Sequence, residues 1–530
     1  MTITATNPIL PGCYPDPSIC RVGETYYLVS STFEYLPGLP IMRSRDLVHW
    51  ETVGHAIDRA GMLDFEGIRS SGGLYAPTIR HDGERFWIVC TLVDQADATR
   101  GGNFVITARD ARGPWSEPIW LDVDGIDPSV AFDETGRVWM HGTRLAREPQ
   151  WYHQTEVWVR EYSRDERALV GEEHVIWRGA LDRVVWAEAP HLFLVDGCWY
   201  LIAAEGGTEF HHAVSVARAD ALTGPYEGNR ANPVFTHRHL GRSAPVIGAG
   251  HADLVQTPDG TWQAVMLAMR AQDGYHYPLG RETFLCPVVW EDGWPVFAPG
   301  RGSLPETFEV SAEDEDAVAD ADAGTWQPDA HRSGEVSPDD LRWTGLRALP
   351  EQVAHIAGDG TWTLPVRAAS LADAAAVAFV GVRQQHVDVD VMIELDVSAL
   401  VDGETVGLVV RQSECDHATV QVTRHPNECV MRVVHRQGGH ERILAESVRE
   451  RADSVRLGVR ARAYDYALLA GGEVLHTVDG RELDASSTGG FLGLWLGVFA
   501  TSHSQAPRGS VGIRSFRYEP SGADSAVPIR

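Results

Sequence analysis

A pattern of alternating apolar and polar positions recurs five times in the N-terminal part of the chain. Each copy is an apolar run, a polar turn and a second apolar run, the pattern of a β-hairpin. The copies are DPSICRVGETYYLVSST from Asp16, APTIRHDGERFWIVCTL from Ala76, DPSVAFDETGRVWMHGT from Asp127, APHLFLVDGCWYLIAAE from Ala189 and HADLVQTPDGTWQAVML from His251. Successive copies start 60, 51, 62 and 62 residues apart, so each hairpin begins a longer repeated unit.

The remaining length of each unit accommodates two more strands, and segments such as VITARDARGPWSEP and VSVARADALTGPYE have the pattern of outer strands joined by a turn. Five four-stranded units that close in a ring protect their edge strands by radial repetition. The sequence therefore predicts an all-β chain in which residues 1–300 form a five-bladed β-propeller. A pair of sandwiches with coincidental similarity is the alternative, and five copies in phase disfavour it.

The pattern changes after residue 300. Residues 301–340 are acidic, rich in small residues and without periodicity, which indicates a linker or a long solvated excursion. Alternation returns after Leu341 in segments such as DVDVMIELDV, SVRLGVRAR and GGFLGLWLGVFA. Residues 341–530 are therefore predicted to form a second domain, a jelly-roll-like β-sandwich that ends in a frayed tail, SGADSAVPIR.

Composition narrows the class of partner. The chain has 45 basic and 74 acidic residues, a net charge of −29 that disfavours nucleic acids and anionic membranes but not a small neutral ligand such as an oligosaccharide. The N-terminal residues lack the basic and apolar regions of a secretory signal, and the seven cysteines form no C-x-x-C pair. A cytoplasmic protein with reduced thiols is expected. The sequence leaves open whether it is a homo-oligomer.

The repeat alignment converts scattered acids into a candidate site, because the innermost strand of every blade lines one central channel. The equivalent positions are Asp16, Ala76, Asp127, Ala189 and His251, and Glu188 directly precedes the fourth. Glycoside hydrolysis needs one protonated carboxylic acid and one carboxylate that activates water or attacks the sugar. The apolar surroundings of Glu188 favour its neutral form, so it is the candidate acid. The two Asp-Pro-Ser triplets are also compatible with simple Asx turns.

Several motifs resemble one known family. They are NPILPGCYPDPSICRVGETYYLVSSTFEYLPGLPI, SGGLYAPTIR, GIDPSV, AEAPHLF, AEGGTEFHHAV, GHADLV and LGRETFL. Together they resemble glycoside hydrolase family 43, most closely the β-xylosidase branch with a C-terminal β-sandwich, and VGVRQQH at 380–386 resembles part of that second domain.

The resemblance implies an inverting, single-displacement mechanism. Asp16 matches the family's general base, Glu188 its general acid, and Asp127 the third carboxylate, which tunes the pKa of the acid and orients it. An inverting site must hold a water molecule, so the base and acid carboxyls are expected to lie about 6.5 to 9.5 Å apart. No cofactor is required by this chemistry.

The same resemblance supplies candidate substrate-binding residues. Arg281 matches an arginine that reaches the terminal sugar, Phe33 and Tyr75 match rings that face the substrate, and Phe491 matches a residue that the second domain contributes to the rim. His251 resembles a central histidine that in some members lies beside a water-coordinated cation. A structural calcium ion in the channel is therefore a candidate, with His251 as its contact through water, although no metal ligand is certain.

The expected activity is exo-acting release of terminal xylose from short β-1,4-xylo-oligosaccharides, a step of xylan degradation. An α-L-arabinofuranosidase or a bifunctional enzyme remains open, because such enzymes share the carboxylates and Tyr75 stands where many xylosidases of the family have Trp. A non-catalytic glycan-binding propeller would have no need of three convergent acids. A propeller that serves as a protein scaffold would fill its channel with apolar or small residues.

Overall fold

The structure, a computed structural model, describes residues 2–272, 274–311, 334–356, 361–504 and 506–521. Nearly all of its regular elements are β-strands. Of the predicted linker at 301–340, residues 312–333 lie outside the described residues, and of the predicted tail at 521–530 only residue 521 is described. Thr307–Ser311, inside the predicted linker, pairs as a strand with Thr2–Thr6.

The described residues between 18 and 297 contain five four-stranded antiparallel sheets. In the order of the chain, and from inner to outer strand, they are β2 (Ser18–Val22), β3 (Thr25–Val29), β5 (Gly38–Ser44) and β6 (Glu51–Ile57); β7 (Gly73–His81), β8 (Phe86–Val93), β9 (Gly102–Ala108) and β10 (Ile119–Trp120); β11 (Ile126–Phe132), β12 (Val138–Leu145), β13 (Thr155–Ser163) and β14 (Ala168–Trp177); β15 (Glu188–Val195), β16 (Cys198–Glu205), β17 (Ala213–Ala219) and β18 (Glu227–Gly228); and β19 (Val246–Gln256), β20 (Trp262–Arg270), β21 (Glu282–Glu291) and β22 (Trp294–Phe297). We call these sheets the sheet ring.

Polar turns form the hairpins that the sequence pattern predicts. Asp196 and Gly197 join β15 to β16 with φ values of 50° and 79°, the left-handed pair that a two-residue hairpin turn needs. The first strands of the five sheets contact one another in cyclic order, β2 with β7, β7 with β11, β11 with β15, β15 with β19 and β19 with β2. Apolar clusters fill the spaces between neighbouring sheets. This arrangement is consistent with the predicted propeller.

The C-terminal residues form two packed sheets, which we call the sheet pair. One sheet has the order β26 (His355–Ile356), β27 (Trp362–Pro365), β38 (Ser510–Pro520), β29 (Val389–Asp396), β34 (Ser454–Arg462), β35 (Asp465–Ala470) and β36 (Glu473–Asp479), with β24 (Gly334–Glu335) paired to β38. The other has the order β28 (Phe379–Arg383), β37 (Trp495–Ser502), β30 (Glu404–Arg411), β31 (His417–Arg424), β32 (Glu428–Gln437) and β33 (His440–Glu450). In β29 each second side chain, from Val389 to Leu395, is buried in the core between the sheets. Apolar and polar residues therefore alternate along this strand in the same way as buried and less buried side chains do, as expected for a strand of a sandwich.

The remaining elements are short. The strands β1 (Thr2–Thr6) and β23 (Thr307–Ser311) pair with each other, and β4 (Tyr35–Leu36) pairs with β25 (Gly345–Leu346). The described residues also include two α-helical turns, Pro350–Val353 and Ala485–Thr488, and the 3-10 turns Ala98–Arg100, Arg238–Leu240 and Gly480–Glu482. None of these helices has the length and apolar composition that a membrane crossing needs.

The sheet pair packs directly against the sheet ring. Tyr35 and Trp495 stack with their ring centroids 3.9 Å apart, inside an apolar cluster that contains side chains from both parts. Arg411 of β30 is fully buried beside Glu34, 3.3 Å away, and it donates a hydrogen bond to the Tyr35 hydroxyl. A buried guanidinium requires such partners, so this contact fixes how the two parts meet.

Candidate active site

The five repeat positions share an unusual backbone conformation. Asp16, Ala76, Asp127, Ala189 and His251 have φ values of 55°, 40°, 52°, 51° and 52°, in the left-handed region that residues other than glycine seldom adopt. In four of the five sheets the pairing of the first two strands shifts register at this position, as at a β-bulge. Each such residue costs about 1 to 3 kcal/mol, a strain typical of functional sites.

Hydrogen bonds join these strained positions across neighbouring sheets. Ser31 donates to the Asp16 carboxylate at 2.7 Å and accepts from the backbone N–H of Ala76 at 2.7 Å. Asp127 accepts from the backbone N–H of Ala189 at 3.0 Å. The His251 ring lies 3.5 Å from the Asp16 carboxylate. Asp16 and His251 thus lie side by side, and the charges of both act on the pKa of Asp127.

Asp16 lies in a positively charged setting. Arg281 donates a hydrogen bond of 2.9 Å to its Oδ1, and both side chains are buried. Burial acts to raise the pKa of Asp16, but the charges of Arg281 and His251 and the Ser31 hydrogen bond outweigh it and lower the pKa below its usual value. Asp16 is therefore an ionised carboxylate at neutral pH.

Glu188 and Asp127 lie in the opposite electrostatic setting. Burial raises the pKa of Glu188 well above its usual value, and the negative charges of Asp127 and Asp16 raise it further. Burial and the charge of Asp16 also raise the pKa of Asp127, to about 6, despite the opposing charge of His251. Glu188 is only partly buried as a whole residue, yet the desolvation of its carboxyl is the largest cause of its raised pKa. The site thus combines one ionised carboxylate with a carboxyl that retains its proton near neutral pH.

Aromatic rings and Arg281 form one wall of the site. Phe33 stacks with Phe491 at 6.1 Å between ring centroids, and the edge of Tyr75 meets both rings at 5.4 and 5.8 Å. The Arg281 guanidinium lies 5.2 Å from the Phe491 ring centre and donates to Thr208 at 2.8 Å. Its Nε is buried without a hydrogen-bond partner among the described residues. A buried free donor beside three aromatic rings suits a sugar hydroxyl.

Ser71 anchors Phe491, which comes from the sheet pair, to the sheet ring. The Ser71 hydroxyl accepts from the backbone N–H of Phe491 at 2.9 Å, and the backbone N–H of Ser71 donates to Glu34 at 3.1 Å. The Tyr75 hydroxyl donates to the carbonyl of Ser71. Through Glu34, which faces Arg411, this anchor is continuous with the buried contact between the two parts of the chain.

A second polar layer lies two residues further along each first strand. Its members are Ser18, Thr78, Ser129, His191 and Asp253, all of them buried. Arg80 pairs with Asp253 through two hydrogen bonds of 2.8 Å and also approaches His191 at 3.3 Å. This network links the polar groups of the second layer, but the Nε2 atom of His191 is buried without a hydrogen-bond partner among the described residues.

Sequence reasoning missed this second layer and the supporting residues Ser31, Ser71, Glu34 and Thr208. The sequence contains a signal for the second layer, because each of its members lies two residues after the start of a repeat copy. Ser71, Glu34 and Thr208 lie on segments outside the five repeat copies, and Ser31, near the end of the first copy, has no serine at the equivalent position of the other copies. Only the three-dimensional contacts reveal them.

The geometry gives no support to a cation bound directly by protein ligands. The residues that the structure describes contain no group of three or more His, Cys, Asp or Glu side chains placed to hold a metal ion. His251 instead faces the Asp16 carboxylate.

Comparison with known proteins decides the family. The model described as "Glycosyl hydrolases family 43" matches residues 5–295, and that described as "Beta xylosidase C-terminal Concanavalin A-like domain" matches residues 338–519. The chain belongs to glycosyl hydrolase family 43. This confirms the resemblance inferred from the sequence motifs, and the protein is a glycosidase of the xylosidase and arabinosidase family.

Individual relatives of this family 43 glycosidase cover nearly the whole chain. It is 36% identical over 520 residues to a xylosidase/arabinosidase of Butyrivibrio fibrisolvens, with 95% of this chain and 97% of the relative covered. It is 31% identical to a non-reducing end α-L-arabinofuranosidase of Bacteroides ovatus, with 95% and 92% covered. Among solved structures, a xylan β-1,4-xylosidase from Bacillus halodurans matches with a TM-score of 0.87 at 31% identity, with 97% of this chain and 100% of that chain covered.

Proposed function

We propose that the protein is an exo-acting glycosidase that releases terminal xylose from short β-1,4-xylo-oligosaccharides by single-displacement, inverting hydrolysis. The observation that carries the proposal is the opposite shift of two carboxyl pKa values in one site, lowered for Asp16 and raised well above the usual value for Glu188. Two carboxyls whose environments separate their pKa values are what acid and base catalysis on one substrate requires.

Each carboxyl has one role in this mechanism. Asp16, ionised beside Arg281, takes a proton from the attacking water molecule. Glu188 donates its proton to the glycosidic oxygen as the bond to the leaving sugar breaks. Asp127 raises the pKa of Glu188 by its negative charge and hence keeps the acid protonated. Bond cleavage and attack by water occur in one step on opposite faces of the sugar, so the anomeric configuration inverts.

The same proposal assigns the sheet ring as a five-bladed β-propeller with the site at the mouth of its channel. The cyclic contacts of the five first strands support this assignment. So does the common left-handed conformation at the five repeat positions, because equivalent positions in a propeller face one axis. The sheet pair is correspondingly assigned as a β-sandwich domain.

An exo mode of action agrees with the aromatic wall. Phe33, Tyr75 and Phe491 contact one another in a tight cluster, and Arg281 covers two of the three rings. We assign this cluster as the end of a pocket that holds one terminal sugar. Since Phe491 comes from the sheet pair, a long internal stretch of polysaccharide would collide with the second domain.

A second candidate function is that of an α-L-arabinofuranosidase or a bifunctional enzyme. Two relatives support this second candidate. One is named a xylosidase/arabinosidase and the other an α-L-arabinofuranosidase, and each matches nearly the full chain. Both sugars are neutral pentoses, and the same three carboxyls serve both reactions. The distinction depends on the shape of the pocket around the terminal sugar.

Two measurements test the proposal. Release of nitrophenol from nitrophenyl β-D-xylopyranoside and from nitrophenyl α-L-arabinofuranoside compares the two activities, and we expect the xyloside to be cleaved with the higher kcat/KM. Proton NMR of the first-released xylose is expected to show the α-anomer, the product of inversion. Initial release of the β-anomer, or no cleavage of either glycoside, would refute the mechanism or the function respectively.

A further inference from the structure

A hollow of about 600 Å³ lies on the sheet pair, and none of the three candidate carboxylates lines it. Its floor consists of side chains from β30 to β33 and from β37. Thr405, Thr419 and Gln421 belong to this floor, whereas the adjacent Val406 and Val420 are buried in the core between the two sheets. Side chains alternate between the two faces of a strand, so the floor is the face opposite the core. The proposed hydrolysis assigns no role to this hollow.

One wall of the hollow is the segment 368–373, which the chain holds in place. Beside this segment, the backbone N–H of Ser502 donates to the carbonyl of Arg367 at 3.0 Å. Within it, the Asp373 carboxylate accepts from the backbone N–H and the hydroxyl of Ser370 at 2.8 and 2.9 Å. The hollow is therefore preformed, and its volume is within the range of about 300 to 1,000 Å³ that is typical of small-molecule sites.

His417 offers an acceptor to the hollow. Its side chain lines the hollow and is only 5% exposed as a residue. Its Nδ1 lies 3.0 Å from the carbonyl of Ser413 and must donate to it, since a carbonyl only accepts. Burial lowers the pKa of His417 to about 3, so the ring is neutral at pH 7 and its Nε2 carries no proton. This Nε2 has no hydrogen-bond partner among the described residues.

Gln421 offers donors to the same floor. The Thr419 hydroxyl donates to Oε1 of Gln421 at 3.1 Å, which fixes the orientation of the carboxamide. The side-chain N–H groups of Gln421 have no partner within the part of the chain that the structure describes. Donors on Gln421 and an acceptor on His417 thus line one space, and a ligand hydroxyl group can bond to either because it both donates and accepts.

The charged side chains on β32 and β33 that line the hollow are paired within the protein. Arg432 donates to Glu446 at 2.7 Å, and Glu441 lies 3.2 Å from Arg436. These partners neutralise both charges, so neither side chain attracts an anion or a cation. The pairing favours a neutral ligand.

Apolar side chains complete the floor and separate it from the candidate active site. Ile443 is 58% exposed and Phe499 lies beside it in the hollow. Phe499 and Leu371 also belong to the buried apolar cluster that contains Phe33. Buried side chains therefore lie between the hollow and the aromatic wall around Phe491. Exposed apolar atoms next to free donors and acceptors match a sugar, whose ring has C–H faces and a rim of hydroxyl groups.

We propose that the hollow is a second saccharide site, which binds a neutral oligosaccharide without cleaving it. The preformed volume, the free acceptor on His417, the free donors on Gln421 and the paired charges carry this inference. It goes beyond the proposed function, because binding here involves none of the three carboxylates. Only the choice of a xylo-oligosaccharide as the ligand rests on that function. Such a site would hold the enzyme close to the polysaccharide whose fragments it cleaves.

Calorimetric titration of Glu188→Ala with xylotetraose tests the inference, because this variant binds the ligand without consuming it. We expect two sites per chain, one in the catalytic pocket and one in the hollow. Adding Gln421→Leu removes the free donors and should raise the Kd of the second site about three- to tenfold, as loss of one hydrogen bond implies. Adding Thr405→Trp instead fills the hollow and should abolish the second site.

Gln437→Leu is the matched control. Gln437 is a partly exposed glutamine of the same sheet, on β32, and it does not line the hollow. This change should leave both sites as they are in Glu188→Ala. In the enzyme that retains Glu188, Gln421→Leu and Gln437→Leu should each hydrolyse nitrophenyl β-D-xylopyranoside within about twofold of the wild-type rate, which also verifies the fold.

Two outcomes would overturn the inference and leave the proposed hydrolysis intact. The first is a single xylotetraose site per chain in Glu188→Ala. The second is the same Kd for the second site in the Gln421→Leu and Gln437→Leu variants. Two sites in Glu188→Ala, together with a wild-type protein that cleaves neither nitrophenyl glycoside, would instead support the second saccharide site and refute the proposed function.

Discussion

Arg281 donates a hydrogen bond to Oδ1 of Asp16 at 2.9 Å, and its guanidinium also lies 5.2 Å from the ring centre of Phe491. One side chain therefore sets the charge state of the candidate base and contacts the residue that the sheet pair contributes. The positive charge of Arg281 lowers the pKa of Asp16 and also opposes the rise in the pKa of Glu188. Electrostatics and pocket shape are thus linked through this residue.

Replacement of Arg281 by methionine should move both the acidic and the alkaline limb of the pH profile of kcat/KM to higher pH. The acidic limb reports Asp16, whose pKa rises when the positive charge is lost, and the alkaline limb reports Glu188, whose pKa rises for the same reason. We expect the maximum rate to fall at least about 100-fold, because a sugar contact is also lost. Arg218→Met is the control, since Arg218 also lies over an aromatic ring, that of Trp294. An unshifted acidic limb would contradict the pairing of Arg281 with Asp16.

Asp127→Asn should move only the alkaline limb, and in the opposite direction. The negative charge of Asp127 is the second cause, after burial, of the raised pKa of Glu188. Without that charge Glu188 loses its proton at lower pH, so the activity declines at a lower pH on the alkaline side. The kcat/KM profile with a nitrophenyl glycoside measures the shift. An alkaline limb at the same pH as in the wild type would mean that Asp127 does not tune the pKa of Glu188.

Relative to the wild type, the Asp127→Asn variant should become more stable as the pH rises. Burial raises the pKa of Asp127 from 3.8 to about 6 in the folded protein, so the folded state binds this proton more tightly than the unfolded chain does. That contribution is complete below about pH 4 and is lost as the pH rises through about 6, a loss of about 3 kcal/mol in the wild type. The Asp127→Asn variant has no titrating carboxyl at this position, so it avoids this loss of stability. Denaturant unfolding at pH 4 and pH 7.5 measures the free energy of unfolding of both proteins. The value for the variant minus the value for the wild type should be larger at pH 7.5 than at pH 4. The same difference at both pH values would contradict this prediction.

Much of the fold follows from the sequence, but the division of roles among the acids follows only in part. Period-two alternation and Asp-Gly turns specify hairpins locally, so the strands around Asp196 and Gly197 were predictable. The offset of the repeats also indicated that Asp16 and Asp127 meet. Their identical Asp-Pro-Ser settings could not show that their pKa values shift in opposite directions. That difference arises because Arg281, far away in sequence, pairs with Asp16 and leaves Asp127 without a cation in direct contact among the described residues.

Ser71→Gly should weaken substrate binding without unfolding the protein. Ser71 has a φ of 63°, which glycine adopts freely, so the change removes the hydroxyl that anchors Phe491 while it relaxes the backbone. Loss of one hydrogen bond predicts a rise in KM of about fivefold with a smaller effect on kcat. Phe491→Ala should raise KM as well, and the double variant should resemble Phe491→Ala alone. Additive effects of the two changes would show that Ser71 does not act through Phe491.

The dependence of the rate on the leaving group tests the roles of Glu188 and Asp16 most directly. Glu188→Ala and Asp16→Ala would each be assayed with xylobiose, whose leaving oxygen needs a proton, and with β-D-xylopyranosyl fluoride, whose leaving group needs far less assistance. We predict that Glu188→Ala loses about 100- to 10,000-fold on xylobiose but keeps most of its activity on the fluoride, whereas Asp16→Ala loses activity on both. Equal losses on both substrates in Glu188→Ala, or retained fluoride hydrolysis in Asp16→Ala, would contradict the assignment of acid and base.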